Sequence, residues 1–243
     1  MTYDADIWRG VPSDIAERGE FATMQFLGHA QGDARFEAHR ATWITEPDIA
    51  ELARFGLNAV RVPVGFWIRE PVDAGDDQAR VFAPGALKYL DRLVNDWAVT
   101  HNDHSASPLP NVKQWSESPA NRADSAALAL FLAARYRASP AFLGMSLMNE
   151  PEYPTAPSAL RARGDDCVLV LAPMLSEQAA PFLADVLRGE RHVWIEWHPY
   201  YKWGYEGKNE AQLIGDAAAY GARVAQWAGN PLTISEWSLG VWD

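Results

Sequence analysis

A helix followed directly by a buried strand is predicted by the sequence TEPDIAELARFGLNAVRVPVG, residues 45–65. Thr45 suits the N-cap of the helix, and Asp48 stands three positions later, as in a capping box. Gly56 is the expected end of the helix, because glycine readily adopts the left-handed backbone found after many helices. The following residues, 57–65, are dense in β-branched side chains. The stretch therefore predicts one helix–strand step of an α/β protein.

The same alternation of helices and strands continues along the chain. We predict further helices over 84–100, 118–138 and 209–228, and further strands over 142–148, 167–172, 192–197 and 231–236. The strands are apolar on both faces, which is typical of a parallel sheet covered by helices. A closed barrel and a doubly wound sheet both fit this order. The sequence has no Gly-x-Gly-x-x-Gly motif, which disfavours a nucleotide-binding version.

Composition restricts the classes of ligand. The chain has 243 residues and no repeat or linker, so we expect one domain over 1–243. The net charge of −11 argues against nucleic acid as a partner, because phosphate binding needs a basic surface. No apolar stretch is long enough to span a membrane, and the N-terminus does not resemble a signal peptide. Cys167 is alone, so we expect no intrachain disulfide.

Two glutamates, Glu150 and Glu236, stand at the ends of predicted strands. In a β/α barrel, functional residues lie just past the carboxyl ends of the strands, around one mouth. Glycoside cleavage uses two carboxyl groups, one as proton donor and the other as nucleophile or activator of water. The plainer interpretation is that each glutamate is a solvated charge at a strand end. Both interpretations stay open on these residues alone.

Other polar and aromatic residues near these strand ends suit the same chemistry. Asn149 is placed to hydrogen-bond a sugar hydroxyl, and His198 and Tyr200 are expected on one side of an extended segment. Arg61 is expected to keep a carboxylate ionised, the alternative being a buried ion pair. Trp203 and Trp237 suit stacking on sugar faces.

Two further sequence features favour structural interpretations. His101-x-x-His104 has no third ligand at usable spacing, so we predict a polar loop and no metal site. We interpret Glu177 and Glu196 either as structural carboxylates or as carboxylates that support the residues of the site. No cofactor is predicted.

Five stretches carry a resemblance to a known family. They are HRATWITE (39–46), GLNAVRVPVG (56–65), LMNEP (147–151), HPY (198–200) and ISEWS (234–238). In this order they resemble glycoside hydrolase family 5, specifically its exo-1,3-β-glucanase-like branch of fungi and oomycetes. The resemblance implies a (β/α)8 TIM barrel, with Glu150 as acid/base and Glu236 as nucleophile. It also implies that Arg61, Asn149, His198 and Tyr200 line the site.

The chain departs from the family pattern at three strands of the barrel. Strands one, three and eight are not evident, so we expect an incomplete barrel. By resemblance the function is retaining hydrolysis of β-glucosidic bonds, with exo-1,3-β-glucan as the leading substrate. The resemblance also implies an extracellular or cell-wall location, with the cytoplasm as the alternative for a chain without a signal peptide, and we expect a monomer. The alternatives are an inactive glucan-binding relative and a non-functional fragment.

Overall fold

The computed structural model describes residues 6–69, 76–101, 104–108, 119–149, 166–173, 178, 187–202 and 204–238. These residues fall into two compact units. The first comprises Met1–Val60, Val64–Ser105 and Arg135–Phe142, and the second comprises Arg61–Pro63, Ala106–Ala134 and Leu143–Asp243. Within the described ranges, no helix is long and apolar enough to cross a lipid bilayer.

The first unit begins with helices. After a 3₁₀ turn at Asp6–Trp8 come α1 (Ser13–Ala16), α2 (Gly19–Leu27), α3 (His29–Trp43) and α4 (Glu46–Arg54). A small core of buried residues holds the N-terminal helices together, with Trp8 and Val81 packed against it. Its members are Ile7, Met24, Phe36 and Ala83.

Both ends of α4 are those predicted from the sequence. The Thr45 backbone N–H donates to an Asp48 carboxylate oxygen at 2.7 Å, within a complete capping box. At the other end Gly56 has φ +80°. Its N–H donates to the Ala53 carbonyl at 2.9 Å, and the Leu57 N–H donates to the Leu52 carbonyl at 3.1 Å. This is the Schellman motif, which satisfies the last carbonyls of a helix.

The predicted helix over 84–100 is present but not uniform. It consists of α5 (Leu87–Arg92), a π-helical turn (Leu93–Trp97) and α6 (Ala98–His101). Further 3₁₀ turns precede it at Phe66–Ile68 and Ala79–Val81. Its apolar face is buried, with Leu87, Leu90 and Val94 all at most 7% exposed.

The second unit contains most of the sheet. The strands are β1 (Ala59–Arg61), β2 (His104–Pro108), β3 (Phe142–Asn149), β4 (Val168–Ala172), β5 (Val193–Trp197) and β6 (Leu232–Ile234), and the helices are α7 (Pro119–Tyr136) and α8 (Glu210–Ala225). The six strands form one sheet in chain order, and β3 to β6 pair in parallel. Among the described residues no strand precedes β1 and none follows β6. The predicted α/β fold is confirmed, as an incomplete barrel.

One part of the prediction was wrong. Residues 104–108, taken in part for a polar loop, form β2, so the third strand is present. The segment HSASP has no large apolar or β-branched residue, and its strand propensity is weak. Its place between β1 and β3 supplies the backbone partners that its sequence does not indicate.

The central strands are packed tightly. All five residues of β4 are buried, as expected for a strand covered on both faces. Gly144 of β3 lies so close to β4 that a Cβ atom there would be 1.9 Å from the Val168 carbonyl oxygen. No other residue fits without moving the strands.

Candidate active site

Glu236 follows β6 and is the centre of the site. Arg61, the last residue of β1, makes a short ion pair through Nη1 with Oε1 of Glu236. The Tyr200 hydroxyl donates to Oε2 of Glu236 at 2.5 Å. Burial alone would raise the pKa of Glu236. The Tyr200 hydrogen bond and the charges of His198 and Arg61 outweigh burial and leave that pKa below its ordinary value.

His198 and Tyr200 reach Glu236 from the segment after β5. The Nδ1 atom of His198 lies 3.8 Å from Oε2 of Glu236. This segment runs beside the one after β6, where the Tyr201 N–H donates to the Ser238 carbonyl at 3.0 Å. The contact fixes Tyr200 and Glu236 relative to each other, since each is one or two residues from the bond.

A second carboxylate, Glu196 of β5, lies beneath the first and is 1% exposed. Its Oε1 is 2.9 Å from Nε of Arg61 and 3.4 Å from Nε2 of His198. Its Oε2 accepts a hydrogen bond from the Ser146 hydroxyl of β3 at 3.0 Å. Arg61 therefore contacts two carboxylates, Glu236 near the surface and Glu196 in the interior.

Gln178 completes the buried layer. Its Oε1 accepts a hydrogen bond from the His198 backbone N–H at 2.7 Å, and its Nε2 donates to the Pro173 carbonyl at 3.1 Å. No sequence pattern selects Gln178 or Ser146. Glu196 had a usable signal, because Glu196, His198 and Tyr200 alternate along the chain and so lie on one side of an extended segment.

The remaining predicted residues are placed as follows. Asn149 is the last residue of β3, in register with Ala172 of β4. Trp237 is next to Glu236 and 67% exposed. Glu150 and Trp203 lie outside the described residues. The structure thus brings Arg61, His198, Tyr200 and Glu236 together.

The assembled groups provide an ionised carboxylate fixed by two donors. Arg61 and Tyr200 orient its two oxygens, and both stabilise the anion. Such a group suits nucleophilic attack or electrostatic stabilisation of a positive centre. Within the ranges that the structure describes, no cluster of three His, Cys, Asp or Glu side chains has the geometry of a metal site.

Similarity to known sequences covers part of the chain. The "Probable glucan endo-1,6-beta-glucosidase B" of Aspergillus fumigatus is 42% identical over 82 residues, which are 34% of this chain and 20% of that protein. The glucan 1,3-beta-glucosidase of Blumeria graminis is 41% identical over 81 residues, 32% of this chain and 17% of that protein. The matched part is thus about a fifth of the length of these relatives. No family model matches the chain.

Solved structures share the fold over more of the chain. The rutinosidase of Aspergillus niger superposes with a TM-score of 0.73 at 15% identity, covering 97% of this chain and 75% of that one. A GH5-4 broad specificity endoglucanase from Clostridium acetobutylicum gives 0.53 at 15% identity, covering 78% and 68%. These likenesses show a shared β/α-barrel fold. Over about a third of its length the chain is also similar to fungal glucan β-glucosidases, in agreement with the resemblance predicted from its motifs.

Proposed function

We propose that the protein is a retaining glycoside hydrolase that cleaves β-glucosidic bonds. The observation that carries the proposal is the environment of Glu236. Arg61 and Tyr200 hold its two oxygens, and its pKa is lowered. A nucleophilic carboxylate must be ionised and held in a defined orientation, and the contacts of Arg61 and Tyr200 support both requirements.

The proposed reaction has two steps. In the first, an oxygen of Glu236 bonds to the anomeric carbon while the bond to the leaving oxygen breaks and Glu150 donates a proton to that oxygen. In the second, Glu150 takes a proton from water, and the water oxygen replaces Glu236 on the anomeric carbon. Two inversions at one carbon give net retention of configuration.

The substrate is proposed to be a β-glucan oligosaccharide or polysaccharide. Exo-1,3 cleavage follows from the sequence resemblance, and the Blumeria graminis relative is named for that linkage. The Aspergillus fumigatus relative is named for endo-1,6 cleavage, so the linkage is the part of the proposal that needs measurement. Trp237, Trp203 and Asn149 are proposed to contact sugar rings. An extracellular or cell-wall location and a monomeric state belong to the same proposal.

The proposal is tested by trapping the covalent intermediate. A 2-deoxy-2-fluoro-β-glucoside with a good leaving group should label Glu236, and peptide mass spectrometry should locate the label there. Glu236→Ala should abolish both labelling and turnover. The matched control is Glu206→Ala, which removes an exposed carboxylate. This variant should keep both labelling and turnover.

Linkage and stereochemistry need separate measurements. Laminarin reports β-1,3 cleavage and pustulan reports β-1,6 cleavage, and NMR of the first product should show the β anomer. An α first product would contradict retention. Binding of glucan by calorimetry with no product from either polymer, and no label on Glu236, would instead identify an inactive glucan-binding relative.

A further inference from the structure

We infer that Glu196 is the positioning residue of this site, which sets both the geometry and the charge of the Arg61–Glu236 pair. The inference rests on the proposed function for its kinetic consequences. Its physical basis is the pair of contacts from Oε1 of Glu196, 2.9 Å to Nε of Arg61 and 3.4 Å to Nε2 of His198. Arg61 and His198 both lie beside Glu236 as well.

The three charged side chains of this arrangement differ in burial. The side chain of Glu196 is 1% exposed, whereas those of Arg61 and Glu236 are 18% and 23% exposed. A buried carboxylate has little water to screen it, so its attraction for the guanidinium is stronger than that of a surface pair. Arg61 is therefore anchored from below by Nε, and its Nη1 is left directed at Glu236.

Glu196 is itself held in place from a different strand. Ser146 of β3 donates to its Oε2, the oxygen that does not contact Arg61. Oε2 of Glu196 thus accepts a hydrogen bond and Oε1 lies at ion-pair distance from Arg61, so rotation of the side chain would disturb one contact or the other. Rigid support of this kind separates a precise site from a loose one.

Glu196 also affects the balance of charge around Glu236. Among the described residues Arg61, His198 and Tyr200 face Glu236, and Glu196 lies close to the first two. The anion of Glu196 shares the positive charge of Arg61 and so limits how strongly Arg61 stabilises the anion of Glu236. An overstabilised carboxylate is a weaker nucleophile. Arg61 and Tyr200 therefore keep Glu236 ionised, and Glu196 keeps it reactive.

Two substitutions distinguish the effect of the Glu196 charge from the effect of its side-chain length. Glu196→Gln keeps the size and removes the charge, so the Glu236 pKa should fall further and the acid limb of the kcat/KM profile should move to lower pH. Glu196→Asp keeps the charge and shortens the side chain, so the acid limb should stay near its native position. Both variants should lose up to about a hundredfold in kcat, the scale expected when a reacting group is misplaced by about 1 Å.

The experiment uses the full chain and a matched control. Glu190→Gln removes an exposed carboxylate that precedes β5, changes the net charge equally, and should leave the pH profile as it is. The Glu236 carboxyl is titrated by carbon-13 NMR in the native chain and in all three variants. This readout does not need turnover, so a native chain with no glucanase activity would refute the proposed function and still test Glu196.

Each Glu196 variant has a result that would contradict the inferred role of Glu196. A folded Glu196→Gln protein whose Glu236 titration matches that of the native chain and Glu190→Gln would exclude the charge role. If Glu196→Gln does not fold, Glu196→Asp decides. A native kcat in Glu196→Asp would exclude the positioning role. Where turnover is absent, a carbon-13 chemical shift of the Glu236 carboxyl group equal to that of the native chain would exclude it.

Discussion

Replacing Tyr200 with phenylalanine removes one donor from Glu236 and little else. The Tyr200 hydroxyl donates to Oε2 at 2.5 Å, and phenylalanine keeps the ring. Hydrogen bonds to charged groups contribute about 1.5–3 kcal/mol. Glu236 is 23% exposed, so water offsets part of the loss and the lower end applies. About 1.5 kcal/mol corresponds to roughly a tenfold decrease in kcat/KM.

The direction of the pH effect follows from the same bond. The hydroxyl stabilises the ionised form and helps to lower the pKa of Glu236. Its removal should raise that pKa, so the acid limb of the kcat/KM profile should move to higher pH. This is opposite to the shift expected for Glu196→Gln.

The assay is kcat/KM against pH with an activated aryl β-glucoside. The control is Tyr220→Phe, which removes a tyrosine hydroxyl from α8. Phenylalanine keeps the ring, which makes an edge contact with Trp197. A loss below about twofold with a well-folded Tyr200→Phe protein would refute the reasoning, since a charged hydrogen bond should contribute more. So would an acid limb that does not move.

Three further outcomes are expected. The buried Tyr220 hydroxyl has no hydrogen-bond partner among the described residues, so Tyr220→Phe should raise the free energy of unfolding by about 1 kcal/mol in urea titrations; a decrease would contradict this. Hydrogen bonds from Arg135 lower the pKa of Asp91, so Asp91→Asn should cost about 1 kcal/mol at pH 7. That cost should disappear as pH falls through the lowered pKa, with Asp96→Asn as the neutral control. Glu150→Ala should slow poor leaving groups and spare activated aryl glycosides, and equal losses on both would contradict its acid role.

Features that depend on residues close together in the chain could be predicted from the sequence. The helix α4 is bounded by a capping box at Thr45 and a Schellman glycine at Gly56, both set by neighbouring residues. The capping box that begins α8, with Asn209 as N-cap, is equally local. The strands β3 to β5 were predicted to within about a residue because their apolar runs are continuous.

Features that depend on distant partners were not readable. The strand β2 forms from HSASP because of its neighbours in the sheet, and nothing in its composition indicates a strand. The helices α1 to α3 were not predicted from the sequence. Ser146 and Gln178 act on residues of other segments, so only the folded chain identifies them.

The sequence distance between Arg61 and Glu236 has a consequence for synthesis. The two residues are 175 positions apart. At a translation rate of about 5–20 residues per second, Glu236 is made roughly 9–35 s after Arg61. Contacts this far apart in sequence also close slowly. Arg61 therefore meets its two carboxylates at different times, because Glu196 is made with β5 and Glu236 arrives only after β6 has been synthesised.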